Sequence, residues 1–145
     1  MGPEQFQVSV VQEPRTLPGV GRPRVLSCRF TRTPNGRCRC RVTLGWGEGP
    51  AAVGVADGVS SPSGELRCAA EACLSALSRG LSEPQFELVG VKALRAFDTT
   101  LVIASLAIRG GHGGPRFVGS VLAPDNPVPA AVRAVLHAVN RVIAK

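Results

Sequence analysis

Cys38-x-Cys40, with Cys28 nearby, is the spacing in this chain that most invites metal chemistry, because thiols two apart on a strand share one face. A closed zinc site wants four ligands, however, and Cys68 and Cys73 fall at core-like positions of a helical pattern. Free Cys behaves as a small hydrophobe and is among the most buried residue types. The five Cys therefore read as core, and no metal site is assigned. His112 lies in a glycine-rich turn, and His137 on a polar helix face with Arg133, Asn140 and Arg141; neither has a paired carboxylate. Ser60, Ser61 and Ser63 read as turn and capping residues. No nucleophile, base and orienting group come together. No catalytic residue and no cofactor is assigned, and the chain is read as non-enzymatic.

Two glycine-rich runs, Gly45–Gly49 and Gly110–Gly114, resemble phosphate loops in composition only. A phosphate loop feeds a helix N-terminus, whose amides and dipole favour anions. These runs join strand to strand and read as hairpin turns. Trp46, the single Trp, sits in the first of them, either as an exposed contact residue or folded back over a sheet edge. The electrostatic feature is clearer. From Arg15 to Arg41 there are eight Arg and no acid, between Glu13 and Glu48. Arg22, Arg24, Arg29, Arg32, Arg37, Arg39 and Arg41, with Trp46, form the candidate partner-binding edge. Such a patch attracts phosphates or an acidic protein surface. It lacks rings for base stacking, so an acidic protein partner ranks above nucleic acid. A plain solvated face is the competing reading. The net charge of +7 comes almost entirely from Arg, a bias that a GC-rich genome imposes on any gene.

These groups ride on a repeated frame. Gly45, Gly49, Pro50, Val53, Gly54 and Pro62 recur as Gly110, Gly114, Pro115, Val118, Gly119 and Pro127, at an offset of 65. Further on, Ala72, Leu74, Ala76 and Arg79 recur as Ala134, Leu136, Ala138 and Arg141, at an offset of 62. A turn, a strand, a helix start and a helix recurring together mark a duplicated supersecondary unit. The fold expected is α+β: two βββα units related by a pseudo-twofold axis, with an antiparallel sheet and two helices packed on it. Strands are expected over 25–33, 37–44, 51–56, 86–96, 99–108 and 116–122. Asn35-Gly36 is a hairpin turn. Helices are expected over 63–79, capped by Ser61 and stopped by Gly80, and from Pro127 to about Ala144, capped by Asn126. Residues 1–23 form a tail or docking segment in which Phe6, Val8 and Val10 alternate with polar residues. Residues 24–145 form one domain of two repeats, 24–81 and 85–145. The run Leu101–Ile108 is almost continuously apolar, as in a strand covered on both faces, whereas Arg37–Val42 alternates strictly.

Both helical stretches carry a line of small residues, Ala69, Ala72 and Ala76 in one and Ala131, Ala134 and Ala138 in the other. These lines suit close approach, of the two helices to each other or of a neighbouring subunit, and they are assigned to self-association. On that reading Ala72→Leu with Ala134→Leu breaks an oligomer and spares the strands. The order of elements, with the Val53-Gly54 and Val118-Gly119 repeats, resembles the C-terminal regulatory domain of 2-isopropylmalate synthase and related acyltransferases, over about residues 24–145. The resemblance implies a domain that dimerises and binds a small feedback metabolite near its pseudo-symmetry axis. It implies no synthase activity, since the catalytic barrel of that family has no counterpart here. No run reaches the roughly 18 apolar residues of a membrane span, and the first 25 residues lack the apolar core of a signal peptide. With an odd number of Cys, the expectation is a cytoplasmic protein with reduced thiols, acting as a homo-oligomeric regulatory or assembly subunit.

Overall fold

A computed structural model describes residues 4–6, 22–81, 84–110 and 113–143. In chain order the elements are β1 (Glu4–Phe6), β2 (Arg24–Arg32), β3 (Arg37–Gly45), β4 (Ala52–Val59), α1 (Pro62–Gly80), β5 (Phe86–Ala96), β6 (Thr99–Ile108), β7 (Phe117–Leu122) and α2 (Pro127–Ile143). The expected duplicated βββα order is present. The strands form two antiparallel sheets instead of one, in the orders β1-β2-β3-β4 and β5-β6-β7. Glu4–Phe6, part of the expected tail, pairs with β2 and extends the first sheet. Val8 and Val10 lie outside the described residues.

Alternation decides which face of each sheet is buried. Cys38, Cys40, Val42 and Leu44 of β3 are at most 1% exposed, while Arg37, Arg39 and Arg41 between them face water. α1 lies against β3 and β4, and α2 against β6 and β7; α1 also touches α2 and β5. One continuous apolar interior results, running from Phe30 and Leu44 through Leu77 to Val135 and Leu106. The thiol of Cys73 on α1 reaches the Val132 carbonyl on α2 at 3.9 Å, so the two halves meet helix to helix.

The duplication is visible as repeated irregularities. β2 bulges between Val25 and Ser27, opposite Leu44 and Thr43; β5 bulges between Leu88 and Gly90, opposite Leu106 and Ser105. The extra residues, Leu26 and Val89, are both exposed. A second repeated contact explains the Val-Gly signature. A side chain on Gly54 would collide with the backbone of Ala72 and Ala76, and one on Gly119 with the backbone of Ala134 and Ala138. Each helix therefore rests directly on a strand glycine of its own sheet, and the alanines are small for that reason.

The helix ends follow the sequence with one change. Ser61 Oγ accepts from the Gly64 amide at 3.1 Å, and Asn126 Oδ1 from the Val128 amide at 3.0 Å, with Pro62 and Pro127 in the first turns. Gly80 does not stop α1 by a left-handed turn; it is helical, and Leu81 follows in an extended conformation. Gly80 is glycine because the Trp46 ring lies where its Cβ would be. The expectation that Leu101–Ile108 is covered on both faces is also corrected. Val102, Ala104 and Leu106 are fully buried, but the alternate positions Leu101, Ile103, Ser105 and Ala107 are half-buried. The outer face of the second sheet has no layer over it among the described residues. Among these residues no helix is long and apolar enough to cross a membrane.

Candidate partner-binding face

The outer face of the first sheet is assembled by strand register. Residues directly opposite in an antiparallel pair point to the same side, about 4.5–5.5 Å apart at Cβ. Arg29 faces Arg41, which faces Val55; Thr31 faces Arg39, which faces Asp57; Arg37 faces Val59. Arg29, Arg37, Arg39 and Arg41 are thus brought onto one open surface, and all four are exposed. On β1, Gln5 is in register with Arg29.

Asp57 accepts from Arg39 Nε at 2.7 Å and from its Nη2 at 3.4 Å. That hydrogen bond holds the Asp57 carboxyl below the usual carboxylate range and raises Arg39 above its ordinary value. Arg29 and Arg41 stand directly opposite each other, a like-charge pairing that disfavours the sheet. Arg37 and Arg41 enter no ion pair among the described residues. Exposed Val55 and Val59 border the arginines on β4. The surface can therefore hold an anionic, partly apolar segment.

The other members of the expected edge are placed differently. Arg22 is exposed ahead of β2, and Arg24 donates to the Gly47 carbonyl at 3.4 Å at the end of the sheet. Arg32 is on the opposite side, and its assignment to the basic edge is corrected. The bulge at Leu26 shifts the alternation, so Arg32 pairs with inward-facing Cys38 and binds Glu65 of α1 at 2.8 and 3.0 Å. Its guanidinium also lies 5.2 Å from the Phe30 ring centroid. Trp46 is not a contact residue of that edge either. It folds back over Gly80, with its indole Nε1 buried and lacking a hydrogen-bond partner.

The self-association residues are corrected as well. Ala69, Ala72, Ala76, Ala131, Ala134 and Ala138 are all 0% exposed within a single chain. Ala72, Ala76, Ala134 and Ala138 serve the helix-on-strand contacts, and all six, covered within one chain, leave no area for a second copy. The thiols are interior too. All five Cys are buried and unbridged, with Cys28 and Cys40 Sγ 3.9 Å apart. Burial pushes the Cys68 thiol up to about 12 and raises Cys73 as well. Such thiols are poor nucleophiles and poor ligands. Among the described residues no cluster of three or more His, Cys, Asp or Glu could hold a metal ion. His137 Nδ1 accepts from the Ser120 amide at 3.1 Å, a contact between α2 and β7; His112 lies outside the described residues.

Two features escaped the sequence reading. A cleft of about 470 Å³ is lined by Trp46, Pro50, Ala52, Val53, Arg79 and Gly80. At the tip of the β5–β6 hairpin, Phe97 is 94% exposed. A two-residue connection of the type I′ kind needs positive φ at both positions, and Phe97 and Asp98 adopt φ of 54° and 61°. The signal was the connection length, hidden because neither residue is Gly or Asn.

No protein-family model matches the chain, and no curated protein matches it.

Proposed function

We propose that the chain is a non-enzymatic regulatory or assembly subunit that self-associates and engages a larger, acidic protein partner through the outer face of its first sheet. The observation that carries this is the exposed row of Arg37, Arg39 and Arg41 on β3, of which Arg37 and Arg41 enter no ion pair among the described residues. Guanidinium groups held in a row on an open face attract carboxylates, so an acidic partner surface is the natural complement. The valines beside them give such a partner apolar area to cover. Nucleic acid is the weaker reading. Phe30, the ring on these strands, points inward at 1% exposure and offers no stacking surface. The self-association part takes its support from the resemblance to a dimerising regulatory domain.

Fluorescence anisotropy with a labelled poly-glutamate peptide and a labelled single-stranded oligonucleotide separates these readings. The peptide is expected to bind, more weakly as salt rises. Arg37→Glu with Arg41→Glu, which leaves the Arg39–Asp57 pair in place, is expected to weaken it by roughly tenfold or more. An unchanged affinity removes this face as the site. Tighter binding of the oligonucleotide would replace the acidic-partner reading.

A further inference from the structure

We infer that two copies of this chain join by exchanging hairpin tips, the Phe97 ring of each seating in the Trp46 cleft of the other with Asp98 against Arg79. The inference rests on the self-association reading above and names the contact that it requires.

The tip has the properties of an anchor. Phe97 is the most exposed large apolar residue of the described chain, held in a left-handed conformation that disfavours a bulky side chain. The hairpin projects past the body. Lys92, Ala93, Leu94 and Arg95 are all exposed, so both faces of β5 are open there, and β7 ends at Leu122 opposite Leu101. Leu94, Leu101 and Leu122 form a row across the outer face just behind the tip. A ring at the end of an arm, backed by leucines, presents apolar surface outward.

The cleft has the complementary chemistry. Its lining is apolar at Pro50, Ala52 and Val53, and Trp46 is part of it. Arg79 on its rim enters no ion pair among the described residues. A pocket of this kind takes an apolar ring that carries a carboxylate next to it. Phe97 and Asp98 are such a pair, in adjacent positions. A twofold exchange makes the contact twice and closes on itself. One aromatic anchor buries only about 150–250 Å², so the doubled contact gives a reversible dimer that dissociates on dilution.

Trp46 is the sole Trp, so its emission reports the cleft directly. Sedimentation velocity and Trp emission would be followed across a wide concentration range. The wild-type chain is expected to dimerise as its emission shifts to the blue. Phe97→Asn places a residue that favours positive φ in the turn, so the fold is kept, and it is expected to weaken dimerisation by roughly tenfold or more and abolish the shift. Asp98→Arg and Arg79→Asp should each weaken the dimer, and the two together should restore it. A wild-type chain that stays monomeric throughout overturns both self-association and this contact. A dimer unaffected by Phe97→Asn overturns the contact and leaves self-association standing. Loss on Phe97→Asn without rescue by the charge exchange removes the cleft as the receiving site.

Discussion

At the scale of single residues, Gly54 and Gly119 fix how closely each helix approaches its sheet. Neither has room for one methyl group, because the helix backbone occupies the Cβ position. Backbone yields less readily than a side chain, so Gly54→Ala and Gly119→Ala are each expected to destabilise the chain by about 3 kcal/mol. The urea midpoint measures this, with Gly90→Ala as a near-neutral control because nothing lies within 4 Å of its added carbon. An unchanged midpoint at either site would contradict the packing. Ala72→Leu and Ala134→Leu now belong with these as overpacking changes inside one chain, not as tests of an oligomer. The repeated Val-Gly pair was legible in the sequence. Its partner was not: a glycine on a strand does not say whether another backbone, a ligand or a turn requires it.

At the scale of elements, the start of α1 is tied to β2 by a carboxylate with two partners. Glu65, with a side-chain exposure of 12%, accepts from Arg32 and from Ser60 Oγ at 2.6 Å. The Arg32 hydrogen bonds, with help from Ser60, hold its carboxyl below the ordinary value of 4.5. The contribution of ionised Glu65 is therefore complete above that value and lost as pH falls through the lower folded-state value. Glu65→Gln is expected to cost about 1 kcal/mol at neutral pH. The gap between variant and wild-type melting temperatures should close under acid, and a gap constant from pH 7 to about pH 3 would show that Glu65 carries no such charge dependence. Ser61 and Pro62 announced the helix start because capping chemistry is local. The Arg32–Glu65 pair was hidden by one extra residue. A regular strand would send Arg29 inward with Val25, and the bulge at Leu26 reverses that, turning Arg29 out and Arg32 in.

At the scale of the molecule, the two halves share an interior, since α1 touches both α2 and β5. A half alone would expose those surfaces, and a domain of about 60 residues is already marginal. Unfolding in urea should therefore follow one transition. Trp46 fluorescence reports the first half, far-UV circular dichroism reports both, and their midpoints should coincide. Separate midpoints would show that the halves hold independently. Two copies of one unit could be read from the repeated glycines and helix starts. Division into two sheets could not, because strand periodicity says which face is buried but not which strands are neighbours.

The bulge in β5 has one more consequence, for behaviour in concentrated solution. β1 lines the outer side of β2, but β5 has no added strand among the described residues, and its 11 residues end the second sheet. An open ladder of that length is a template for fibrillar stacking. The bulge breaks its regular spacing, and Lys92 and Arg95 place charge along it. Straightening that strand or removing those charges would trade solubility for amyloid-like growth.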